Sequence, residues 1–327
     1  MRTAQELREL MFSASKLVDN SQQPAKYRVR GYPENNGNGI DYANFSRDFT
    51  FASYEKVIAG GLLRCQRIFN KPYSDIEVHK MNYGRNKQWF ICELISRGTK
   101  VKVDGELHYP YLCINYSYDR VNAINYEIGI YREKCVNGVL FGFRSLMKIK
   151  VTPETIFDVD PWYNPCLLHN LVKEYERQVQ MLKRTHMDQR SMESLISVAL
   201  GRDIRHEEDT YFVDRKGELS TQPNVQRMMR NYTNELGENA YATLNVITDI
   251  ASNYREGLEL SDSINNSRTA AQRKAGKWLD DLITFIEREN EVLLNTSIES
   301  EHFGSKEQRE TYDFNLEAYL RFIRSSN

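Results

Sequence analysis

Long apolar runs are missing from this 327-residue chain. No stretch of about 18 apolar residues occurs, which excludes a helical membrane span, and Glu6 and Glu9 occupy the first turns where a secretory signal needs an apolar core. Cysteine is scarce. Cys65, Cys92, Cys113, Cys135 and Cys166 form no CxxC pair and have no histidine at ligand spacing, so neither a zinc module nor a disulfide framework is indicated, and reduced core thiols are expected. The six histidines, His79, His108, His169, His186, His206 and His302, stand singly. No phosphate-binding loop, dinucleotide fingerprint, H-E-x-x-H or G-x-S-x-G occurs, which removes the usual nucleotide, hydrolase and zinc-protease readings. Neither a repeat nor a sustained heptad is present.

An excess of one charge is also lacking, since 44 Lys and Arg meet 45 Asp and Glu. The balance hides a split. Residues 1–150 hold 23 basic and 15 acidic side chains, and the remainder 21 and 30. Such asymmetry suggests one part for an anionic partner and a separate acidic part, although unlike domains also drift in composition. The division expected is a basic α+β domain at 1–152 and an acidic, mainly α-helical region at 153–327.

Periodicity supplies the elements. Thr3 and Glu6 form a capping box ahead of Leu7, Leu10, Met11, Ala14 and Leu17, which predicts a helix over 3–18. Residues 19–50 hold Pro24, Pro33 and Asn35-Asn36-Gly37-Asn38-Gly39 and are expected to be loose. A helix follows over 52–69, despite Gly60 and Gly61, and Pro72 ends it. Short runs rich in Val, Ile, Tyr and Phe predict strands near 76–83, 88–96, 110–118, 123–132, 139–144 and 147–152. Turns are expected at 83–86, at 103–106 and at Val136-Asn137-Gly138-Val139, where Asn-Gly signals a hairpin. Helices are expected near 166–184, 189–200, 223–254, 267–296 and 306–324, with a polar connector at 201–222. The fold class is therefore α+β: an antiparallel meander flanked by helices, then a mainly helical C-terminal half.

The segment Asn115 to Phe143 contains Asn115, Ser117, Tyr118 and Asp119, then Gly129, Tyr131, Arg132, Cys135, Asn137 and Gly138. It resembles the phage/plasmid-like proteins built on a domain of unknown function, which carry an Asn-Ser-Tyr-Asp-Gly-like turn and a Gly-hydrophobic-Tyr-Arg-x-x-Cys-x-Asn-Gly signature. Tyr116 is inserted in the first motif, and Arg120 stands in place of its glycine. Residues 239–253 more weakly resemble an Ala-x-x-Asn-x-x-Thr helix of those proteins. The resemblance implies mobile-element origin and a bacterial host cytoplasm. In outline, the order of helix, basic meander and further helices is also similar to phage single-strand annealing proteins of the Red-beta and Erf types.

Basic and aromatic side chains alternate through the same strands. Arg132, Lys134, Arg144, Lys148 and Lys150 follow an upstream group of Arg64, Arg67, Lys71, Lys80, Arg85 and Lys87, with tyrosines among them. Cations that hold phosphates and rings that stack on bases are what a sequence-tolerant single-strand site requires; tyrosines are also simply good strand formers. The expectation is a non-enzymatic protein that binds nucleic acid, single-stranded DNA first, in recombination or replication. Arg132, Lys134, Arg144, Lys148 and Lys150 are its candidate phosphate contacts, and Tyr118 and Tyr131 its stacking residues. Gly129, Cys135, Asn137 and Gly138 form a structural signature. Homo-oligomers on the strand are expected, with no cofactor, metal or membrane partner. The alternative is a counter-defence or host-takeover protein that binds a bacterial protein through the acidic half. For an enzyme, Asp158, Asp160, His169 and Glu174 are the cluster to inspect; the two aspartates are expected to cap the following helix.

Overall fold

The computed structural model describes residues 2–18, 26–34, 37–84, 86–96, 98–121, 123–132, 137–140, 148–159, 164–200, 211–213, 219–221, 225–253, 275–289 and 312–326. Helix α1 spans Arg2–Leu10 and is followed by an antiparallel sheet of β1 (Ala14–Val18), β2 (Tyr27–Gly31) and β3 (Ile40–Phe45). The helix expected over 3–18 therefore holds in its first half and gives way to a strand in its second, and the segment expected to be loose carries two strands. Residues 14–18 have helical spacing, but they pair along their whole length with Tyr27–Gly31, and that ladder outweighs a marginal helix.

Helix α2 (Tyr54–Phe69) starts at Ser53, whose hydroxyl accepts from the Lys56 amide, and stops at Asn70 in the left-handed conformation. Its two glycines set the packing distance. A Cβ on Gly61 would stand 2.4 Å from Ile114 Cδ1, and one on Gly60 2.7 Å from the Tyr126 hydroxyl. The helix therefore lies directly on a large antiparallel sheet. After a single 3-10 turn, Tyr73–Asp75, this sheet is built from β4 (Ile76–Tyr83), β5 (Trp89–Ser96), β6 (Val101–Val103), β7 (Glu106–Ser117), β8 (Ile124–Arg132), β9 (Asn137–Leu140) and β10 (Lys148–Val151). Its path is β10-β8-β7-β5-β4, with β6 on β7 and β9 on β8. The 103–106 turn is as expected, with Asp104 and Gly105 both at positive φ. The Asn-Gly expectation is corrected: Asn137 and Gly138 lie inside β9, opposite Arg132 and Tyr131.

The C-terminal half is helical: α3 (Pro165–Arg184), α4 (Gln189–Leu200), α5 (Val225–Leu236), α6 (Ala240–Asn253), α7 (275–289) and α8 (Leu316–Ser326), with a short parallel bridge of β11 (Thr185–His186) and β14 (Tyr312–Asp313) and a hairpin of β12 (Tyr211–Val213) and β13 (Leu219–Thr221). The expected helix 223–254 is broken at Gly237, whose φ of 90° ends α5. Asn239 then caps α6 by accepting from the Ala242 amide. Asn164, not Asp158 or Asp160, caps α3, accepting from the Cys166 and Leu167 amides with Pro165 at the first helical position. One buried apolar cluster runs from Leu10 through α2 and the sheet to Tyr319, so both halves share a core. Among the described residues, no helix is long and apolar enough to cross a membrane.

Candidate nucleic-acid interface

Strand alternation decides which side chains of the large sheet meet the helices. Cys92, Leu94, Leu112, Ile114, Tyr126 and Ile128 face α2 within the main core, whereas Trp89, Ile91, Ile95, Tyr111 and Cys113 form a separate cluster on the opposite face. The register then sorts the expected site. Lys150 takes a position on that opposite face, while Arg132 and Tyr118 belong to the inner side; the Tyr131 and Lys148 backbones pair with Tyr109 and Glu127, and their side chains lie outside the described residues. Lys134, Arg144 and Cys135 lie outside the described residues.

Tyr118 is 1% exposed. Its ring stacks on Tyr54 at 3.8 Å between centroids, lies against Phe51, Tyr42 and Phe12, and its hydroxyl accepts from the Tyr54 amide at 3.1 Å. Burial pushes its pKa up. Arg132 is equally internal: Nε and Nη2 hold Glu106 at 2.6 and 3.0 Å, and Nη2 also reaches the Glu235 carboxylate on α5. Both residues are therefore structural, a correction to their assignment as base-stacking and phosphate contacts. A buried ring already sandwiched by rings presents no face to a base, and a guanidinium held by two carboxylates is neutralised. Arg64 of the upstream group is also buried, donating to the Gly60 and Ile156 carbonyls beneath the Tyr126 ring. Gly129 has a packing role, since a Cβ there would stand 2.4–2.6 Å from the Tyr111 ring opposite.

The middle of the outer face does not suit phosphate. Across five strands the register reads Lys80, Glu93, Cys113, Glu127, Lys148, with Asn82, Ile91, Asn115, Asn125 and Lys150 alongside. Glu93 and Glu127 are buried in this row, and buried carboxylates repel an approaching phosphate.

An accessible arrangement of cations and rings lies instead beside the small sheet. Lys16 of β1 donates to the Phe49 carbonyl at 2.8 Å, pairs with Asp48, and holds its ammonium 5.2 Å from the Tyr27 ring and 5.3 Å from Phe49. Arg120, exposed at the β7–β8 turn with φ of 61°, sets its guanidinium 5.3 Å from Phe49 and 5.5 Å from Phe45. Phe45 and Phe49 are 4.5 Å apart and half-buried. Lys16, Asp48, Phe49, Thr50 and Phe51 line an open cleft of about 370 Å³. Lys16 and the Phe49 amide hold the Asp48 carboxyl below its usual range. Glu154, on the loop after β10, hydrogen-bonds Thr50 and Thr152, which ties that loop to the edge of the cleft. The sequence signal was Phe45-Ser46-Arg47-Asp48-Phe49-Thr50-Phe51, three aromatics interleaved with charge.

Asp158 and His169 are exposed, Glu174 is bound to Arg177, and Asp160 lies outside the described residues. Cys65, Cys92 and Cys113 are buried, as expected of core thiols, but Cys166 is exposed. Among the described residues, no group of three or more His, Cys, Asp or Glu side chains could hold a metal ion.

Neither a curated protein nor a solved structure matches the chain. A family match covers residues 73–282, which takes in the large sheet and the helices down to α7 and leaves β1–β3 outside it. The matched family is DUF932, described as a domain of unknown function, and the chain belongs to it.

Proposed function

We propose that this is a non-enzymatic, single-strand nucleic-acid-binding protein of a phage or plasmid that acts in recombination or replication. The observation that carries the reading is the pair of cations, Lys16 and Arg120, set over the Phe49 ring at an open cleft, with Tyr27 and Phe45 beside them. Cations neutralise phosphates and half-exposed rings accept unstacked bases, a combination that serves single strands better than duplex. Asp48 competes with phosphate for Lys16 and makes affinity depend on displacing an ion pair.

Fluorescence anisotropy with a labelled single-stranded oligonucleotide across a salt series tests this. Binding is expected to weaken steeply with salt, Lys16→Glu and Arg120→Glu each to lower affinity about tenfold or more, and Asp48→Asn to raise it. Absence of binding at low salt by folded protein overturns the reading.

A further inference from the structure

The ring of His108 on β7 has no solvent exposure and stands opposite Arg132 on β8. Its Nδ1 lies 3.2 Å from the Glu106 carbonyl, which accepts the only proton of a neutral ring, and Nε2 finds no hydrogen-bond partner. Tyr175 of α3 meets the ring edge-on at 5.7 Å. The groups gathered here come from the sheet and from α3, α5 and α6. Glu106 and Arg132 come from the sheet and Glu235 from α5. Asp104, in the β6–β7 turn, pairs with Lys183 of α3 at 2.7 Å and donates its amide to Glu176 of the same helix. Lys183 in turn lies 5.2 Å from the Tyr241 ring of α6.

We propose that His108 is an acid-sensitive latch on this seam: its protonation loosens α3, α5 and α6 from the sheet. A proton on Nε2 creates a buried cation with no acceptor, next to a guanidinium that already uses the nearby carboxylates. Burial holds the His108 pKa below its ordinary 6.5; the Glu106 carbonyl and carboxylate oppose this, and Arg132 and Lys183 add to it. A histidine with a lowered folded-state pKa binds more protons when unfolded. The stability it supports is therefore complete above the ordinary value and is lost as pH falls below it, towards the folded-state value.

Thermal unfolding and amide hydrogen exchange of the full chain at about pH 7.5 and 5.5 test the latch, because this window spans the ordinary histidine pKa. The wild type is expected to lose more of its midpoint temperature on acidification than His108→Phe, which keeps the edge-on ring contact and removes the titrating nitrogen. Exchange, corrected for intrinsic rates, should accelerate at acid pH in 165–184 and 225–253 ahead of 76–96. Parallel midpoint losses in wild type and variant overturn the proposal. If His108→Phe does not fold, the wild-type exchange pattern decides alone, and uniform acceleration across all three segments overturns it.

Discussion

Replacing Arg132 with Met separates the two roles available to this residue, because Met keeps the apolar stem and removes the guanidinium. In the fold, Arg132 is 5% exposed and donates to Glu106 and Glu235, linking β8 to the β6–β7 hairpin and to α5. Hydrogen bonds to charged groups contribute about 1.5–3 kcal/mol each. The two carboxylates are 27% and 29% exposed, so water recovers part of that when the guanidinium leaves. The expected loss is about 3 kcal/mol, at the lower end of the range for breaking a buried ion pair. At about 2 °C per kcal/mol for a large domain, the unfolding midpoint should fall by about 6 °C in a thermal scan followed by circular dichroism. A double-mutant cycle with Glu235→Gln should give a coupling of about 1 kcal/mol or more. An Arg132→Met protein with an unchanged midpoint and weakened oligonucleotide binding would refute the structural assignment and make Arg132 a phosphate contact.

Gly129→Ala is expected to destabilise by about 1–3 kcal/mol, because the new Cβ meets the buried Tyr111 ring at 2.4–2.6 Å; Tyr111→Leu in the same chain should relieve much of the loss. Tyr118→Ala, which removes the centre of a cluster joining Phe12, Tyr42, Phe51 and Tyr54, should cost about 3–5 kcal/mol. Tyr118→Phe should cost about 1 kcal/mol, the hydrogen bond to the Tyr54 amide alone. Urea titrations of the four variants check these values, and a wild-type midpoint for Tyr118→Ala would contradict the core placement of that ring.

Little of the candidate site was legible in the sequence, since Lys16, Phe49 and Arg120 stand far apart along the chain, whereas the two-faced character of the strands was. Asn115, Ser117, Asn125 and Glu127 alternate with apolar neighbours, and that period-two pattern marks two faces on β7 and β8. What it does not reveal is which face is covered, since an amphipathic strand has the same spacing whichever side receives the helix. Arg132 illustrates the difficulty. Its spacing and charge equally suit a phosphate contact and a buried tie to Glu235, a residue 103 positions along the chain.

The sequence by itself determined the α+β class, the bounds of β4 and α4, the turn at Asp104-Gly105 and the helical C-terminal half, because local periodicity, capping and turn chemistry act over a few residues. Only the tertiary structure decided that residues 14–18 are a strand, that Tyr118 and Arg132 are internal, and that Lys16 and Arg120 each reach the Phe49 ring. Those outcomes depend on pairings and contacts between distant segments, whose free energy enters only when the chain closes on itself and which no local pattern records.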